Sequence, residues 1–174
     1  MESTLPQGRY NLRPSKRRIT FRGATLIDLV ICILVMGILA AIGVPRFAST
    51  VSRLRCEAVA KRIASDLNYA RRVAIQTSRV VTVTFRNEIP GYDMTGVTNP
   101  ANPSALYSVN LSDVDSSVAL AGINFNSGSS FSYNNYGRPQ VGALALSSGS
   151  VTVSSGEHSF VVVVSITTGE AVVQ

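Results

Sequence analysis

Hydrophobic positions along the chain follow three successive patterns. Residues 24–44 hold a single charge, Asp28, and the last sixteen of them hold none. As an α-helix rising 1.5 Å per residue, this run reaches about 31 Å, close to the thickness of a bilayer's hydrocarbon layer. Pro45 follows directly, and its missing N–H and its clash with the carbonyl four residues back predict a kink there. From Arg46 onward apolar residues recur at helical spacing, at Cys56, Val59, Ile63, Leu67, Ala70 and Ala74, which predicts an amphipathic helix running to about residue 78.

After Arg79 the period shortens. Residues 80–85 are dense in Val and Thr and read as a strand. Further strands are expected at 106–111, 123–125, 131–133, 143–146, 151–153, 160–166 and 171–173. Clusters of Gly, Pro, Asn and Ser at 95–104, 126–130, 134–140 and 147–150 separate them. The nearly all-apolar run 160–166 predicts a central strand buried on both faces, and 167–170 turn it into the last strand. The pattern describes an α+β chain: a long N-terminal helix, transmembrane in residues 24–45 and amphipathic in 46–78, packed on an antiparallel β-rich head over 79–174.

Charge sharpens this division. The chain carries +6, yet residues 1–23 hold six cations against Glu2 and so supply +5 of it. Residues 46–86 carry nine cations against two acids, and residues 87–174 carry Arg138 alone against six acids. Six cations within fifteen residues before Ala24, against three within fifteen after Val44, place the N-terminus on the cytoplasmic side. A secretory signal cut after Gly43 is the alternative: Ala41-Ile42-Gly43 has the small-x-small form, although Val44-Pro45 makes that site awkward.

The stretch Arg22-Gly23-Ala24-Thr25-Leu26-Ile27-Asp28-Leu29-Val30 resembles the class III signal of type IV pilins and type II secretion pseudopilins. That signal is a basic leader ending in Gly, then apolar residues with an acid at the fifth mature position. The resemblance implies that residues 1–23 are a leader which a prepilin peptidase removes between Gly23 and Ala24, methylating the new amine. Ala24 stands where Phe is commonest and Asp28 where Glu is commonest. An acid one turn from a new positive amine offsets that charge within the subunit or pairs with a neighbour's amine, and it also suits a helix N-terminus. The resemblance makes Asp28 an assembly determinant; an N-terminal helix anion at the headgroup level is the plainer reading.

Three further features resemble the GspH/FimT type of minor pseudopilin or minor pilin: the helix end at 67–75 running into a Val/Thr strand, the loop Asn135-Tyr136-Gly137-Arg138-Pro139, and the closing strand-turn-strand. The resemblance implies a pilin-like structural subunit of a type II secretion pseudopilus or type IV pilus, not an enzyme, without cofactor or metal. It also implies a single pass through a bacterial inner membrane, a periplasmic head, and other pilin or pseudopilin subunits, prepilin peptidase and membrane lipid as partners. Some FimT-type proteins act as DNA receptors in natural transformation, which makes Arg138 a candidate phosphate contact. Glu170 stands where those members place Arg, and the acidic head opposes phosphate binding.

Other chemistry lacks parts. Asp113-Val114-Asp115-Ser116 opens like a calcium loop, but Val118 and Asn124 occupy the positions that need Gly and Glu. His158 has no nucleophile nearby in sequence and reads as a turn or strand-edge residue. Cys32 and Cys56, 24 positions apart on one helix, lie roughly 36 Å apart at 1.5 Å per residue and cannot bridge within the chain.

Overall fold

The computed structural model describes residues 25–99 and 102–174, with only the helical backbone at positions 43–45. The expected leader, Gly23 and Ala24 lie outside the described residues. The chain divides into two compact units, Met1–Ala40 and Ala41–Gln174. One helix, α1 (Leu26–Thr77), is followed by ten strands. It ends at Ser78, whose φ of 52° lets Arg79 N–H reach the Ala74 carbonyl (3.2 Å) and Ser78 N–H reach that of Ile75 (3.4 Å). This Schellman pairing satisfies two terminal carbonyls and turns the chain into the first strand.

The strands form two antiparallel sheets. Six of them, β1 (Val81–Arg86), β2 (Gly91–Asn99), β3 (Asn102–Asn110), β5 (Ser130–Tyr133), β6 (Pro139–Val141) and β7 (Leu144–Ala145), lie in the order β3-β2-β1-β5-β6-β7. The other four, β4 (Ala119–Phe125), β8 (Gly149–Ser155), β9 (His158–Val164) and β10 (Ala171–Val173), lie in the order β10-β9-β8-β4. A single core joins helix and sheets. Cys56, Val59, Ala60, Ile63, Ala64, Leu67, Ala70 and Ala74 are its helical members. Phe125 of β4 stacks between Phe85 of β1 (5.5 Å between ring centroids) and Phe131 of β5 (4.4 Å), and Tyr92 and Tyr133 extend the row at either end.

Polar side chains fix the helix against strand ends. The Asn68 amide donates to the Ala171 carbonyl (2.9 Å) and accepts from Ala171 N–H (3.0 Å), so one side chain pairs with the short edge strand β10 as a neighbouring strand would. The Cys56 thiol donates to the Val153 carbonyl at 3.2 Å.

The long helix on antiparallel sheets matches the fold class expected from the sequence, while several element bounds differ. The cluster at 95–104 is not a simple connection: β2 runs to Asn99 and β3 starts at Asn102, because Tyr92 and Met94 alternate inward while β2 pairs with β1. A register shift between Met94 and Thr98, with Gly96 at φ 96°, absorbs the irregular sequence. The run 160–166 is internal to its sheet, but only Val162 and Val164 of β9 are buried, and Ile166 lies beyond the strand and is exposed. Val161 and Val163 point outward, and Val163 lies in a row Asn124–Ser150–Val163–Val172 crossing all four strands.

Because Phe125 is the ring through which the two sheets touch, Phe125→Ala leaves a cavity at their junction. Denaturant unfolding of the detergent-solubilised chain is expected to show a loss of about 3–5 kcal/mol. A loss below about 1 kcal/mol, the ordinary surface range, would contradict the shared core.

Candidate functional site at the start of the helix

Thr25 stands immediately before α1, where the first backbone N–H groups have no intrahelical acceptor. Its hydroxyl accepts from Asp28 N–H (3.3 Å). The Asp28 carboxylate accepts in return from Thr25 N–H (3.0 Å) and from the Thr25 hydroxyl (2.9 Å). This is a capping box with Asp in the place usually held by Glu, and the positive end of the helix dipole also favours the carboxylate. The partner expected from the sequence, the amine at Ala24, lies outside the described residues; within them Asp28 is held by Thr25. The Thr-x-x-Asp spacing carries that signal and the charge argument passed over it.

Beyond the cap the helix surface is apolar and bare. Twelve large apolar side chains between Leu26 and Ile42 are exposed, from 46% at Val30 to 82% at Leu26. Soluble monomers rarely expose a contiguous apolar patch of more than a few hundred Å². The helix is long and apolar enough to cross a membrane. It continues through Pro45, so the missing donor does not end it.

In the head, Arg138 belongs to a loop organised by Asn134, whose side-chain oxygen accepts from Tyr136 N–H (3.0 Å) and Arg138 N–H (2.9 Å). Gly137 in that loop has φ 73°, and its carbonyl accepts from the Arg71 guanidinium of α1 at 3.3 Å. A Cβ on Gly169, also at φ 73°, would fall 2.4 Å from the same carbonyl. Helix end, loop and closing turn are thus pressed together. Asn134, Tyr136 and Arg138 line an open cleft of about 470 Å³. The structure brings Arg71 beside the loop that carries Arg138, and places the exposed Glu170 on the turn packed against it.

Several other ionisable groups have structural partners. Asp115 accepts from Ser117 N–H (2.9 Å) and its hydroxyl (2.6 Å) and pairs with Arg55 at 3.2 Å, and these contacts, the Ser117 bonds first, hold its carboxyl below the usual range. Among the described residues no group of three or more His, Cys, Asp or Glu is placed to hold a metal. His158 opens β9, with Nε2 3.1 Å from the Ser49 hydroxyl. Asp66, which pairs with Arg62 one helical turn back, accepts from the Tyr92 hydroxyl. Burial first, then the Asp66 charge, push the Tyr92 hydroxyl up, and the same causes push Tyr107 up to about 12. The i,i+4 spacing of Arg62 and Asp66 signals their pairing, but the contacts of Asp66 and Asn68 with the strands carry no periodic signal, since both residues fall beside the apolar stripe rather than on it.

A helix half bare and apolar, half buried under two antiparallel sheets, with a capped carboxylate in its first turn, defines the pilin-like class. The family model for type II transport protein GspH matches residues 59–169, more than half of the chain, and the chain belongs to that family of structural pseudopilins. No curated protein and no solved structure matches it.

The tyrosines around Asp66 set the response to alkali. A tyrosine whose folded pKa lies above the unfolded value of about 10 contributes stability that is complete below that pH and is lost as pH rises through the folded value. For Tyr107 the loss falls between about pH 10 and its folded value of about 12. Tyr107→Phe is expected to flatten that part of a pH–stability curve followed by denaturant midpoint. An unchanged alkaline slope would mean that Tyr107 ionises as freely folded as unfolded.

Proposed function

We propose that the chain is a minor pseudopilin of a type II secretion system, made as a precursor and assembled through its N-terminal helix. Residues 1–23 are the cytoplasmic leader, which prepilin peptidase removes between Gly23 and Ala24 with methylation of the new amine. Residues 24–45 anchor the subunit in the inner membrane and later pack against the helices of neighbouring subunits. Residues 46–78 hold the helix in the periplasmic head over 79–174. The observation that carries this reading is the division of α1: twelve exposed large apolar side chains in one stretch, and a buried stripe from Cys56 to Ala74 in the other. Removing the first stretch, as a secretory signal would be removed, discards an anchor that the head does not need for its own core. Asp28 sets register by meeting the amine of its own subunit or of a neighbour.

A second reading, a DNA-binding minor pilin, draws support from one arrangement: Arg71 of α1 contacts the loop that carries Arg138 and the exposed ring of Tyr136. Glu170 on the adjoining turn opposes it, and we rank it second.

Gly23→Val should leave the full-length chain uncut when prepilin peptidase is coexpressed, with the wild-type product beginning at Ala24 by intact mass. Processing of the variant, or a product beginning at Val44, would sink the class III reading. For the second reading, the detergent-solubilised chain is expected to show no salt-dependent binding to duplex DNA. Micromolar binding that weakens steeply with salt and is lost in Arg138→Ala would reverse the ranking.

A further inference from the structure

Arg138 and Tyr136 are each singular in the head. No other Lys or Arg occurs in residues 87–174. Tyr136 is 76% exposed, whereas every other aromatic ring in residues 79–174 is buried or half-buried. The two stand two positions apart and, with Asn134, line the same open cleft of about 470 Å³. Their backbone is fixed from beneath. The Asn134 side-chain oxygen holds both of their N–H groups, and a Cβ on the buried Gly137 between them would fall 2.7 Å from the Ile75 Cδ1. Among the described residues the Arg138 guanidinium, the Tyr136 hydroxyl and the Asn134 amide nitrogen have no hydrogen-bond partner. A clamped loop thus holds the head's one exposed ring beside its one cation, and the fold draws on neither side chain.

The chemistry of these three groups selects a ligand. A guanidinium donates only and fits a carboxylate with two parallel N–H bonds, and the amide nitrogen adds further donors for an oxygen-rich partner. A cleft of this volume takes a small ligand, and its single aromatic wall suits one with a single apolar face. A sugar ring has that form, with C–H groups on the face laid against Tyr136 and hydroxyls at the edge that stay in water or meet Asn134. Charge sets the remaining limit. A cleft of 470 Å³ is about 8 Å across, over which duplex DNA, with one charge per ~1.7 Å, would bring about five phosphates to one arginine. Glu170 on the adjoining turn repels the surplus, whereas one carboxylate is balanced by Arg138. We infer that this cleft binds an acidic sugar, a pyranose with one carboxylate, held by Arg138 at the carboxylate, Tyr136 under the ring and Asn134 at a hydroxyl. The assignment rests on the cleft itself and stands apart from the pseudopilin reading.

The test follows the backbone amide resonances of the isotope-labelled, detergent-solubilised full chain while methyl glucuronide is added. Saturable shifts at Tyr136, Gly137 and Arg138 are expected at millimolar concentration. Binding should be about tenfold weaker for methyl glucoside, which lacks the charge, and for acetate, which lacks the ring. Arg138→Gln and Tyr136→Leu should each weaken it about tenfold as well. Arg53→Gln removes another exposed cation, about 27 Å along α1 from Arg71, and should leave the affinity unchanged. All three replaced side chains are exposed, so unshifted core amides show that the variants keep the fold. No saturable shift up to about 50 mM methyl glucuronide, equal affinity for methyl glucoside or acetate, or full affinity in Arg138→Gln would each overturn the assignment. A short DNA duplex that shifts the same amides at micromolar concentration and displaces the glucuronide would overturn it in favour of a nucleic-acid site.

Discussion

The structure depends on one helix serving two environments. Its second half completes a core that neither sheet could close alone, and the alanines at 60, 64, 70 and 74 let the sheets approach the backbone closely. Its first half buries nothing against the other described residues, so one helix supplies both part of the head's core and an apolar surface that water would not tolerate. Around this division the other contacts are fastenings. Asn68 holds the last strand, Cys56 meets the β8 carbonyl, Asp66 takes the Tyr92 hydroxyl, and Arg71 grips the loop at Gly137.

Several titratable side chains hold helix, turns and strand ends together: Asp115 in its own turn and with Arg55, Asp66 among tyrosines, His158 against Ser49. What the chain presents outward is surface of differing character, apolar on the helix, charged on the six-stranded sheet, uncharged on the four-stranded sheet. That is the inventory of a subunit whose chemistry is contact, in agreement with its membership of the GspH family.

Much of the fold was legible because periodicity reports which side chains must be dry. The stripe from Cys56 to Ala74, the strand after Arg79 and the closing hairpin all follow from spacing alone. Of the β2–β3 hairpin only the second half of β3, from Leu106, was legible: the rest carries Gly91, Gly96, Asn99 and Pro103, residues that punctuate chains, and the pairing of β2 with β1 and β3 overrides their local preference. The run 160–166 misled in the opposite direction. Continuous valine looks doubly buried, yet burial on this strand alternates, with Val162 and Val164 buried and Val161 and Val163 partly exposed. At the helix start, counting charges identified Asp28 but not its hydrogen-bond partner, because a capping contact depends on where the helix begins.

The Thr25–Asp28 box has a consequence for any later role of that carboxylate. An acid with two local donors already on one carboxylate oxygen loses less hydration at the edge of a low-dielectric layer, since part of its acceptor capacity is occupied beforehand. If a positive amine then arrives, the group changes one ligand for another instead of drying out first. The threonine acts as a placeholder, and the barrier to that hand-over is set by breaking two short-range bonds, not by dehydrating a bare ion.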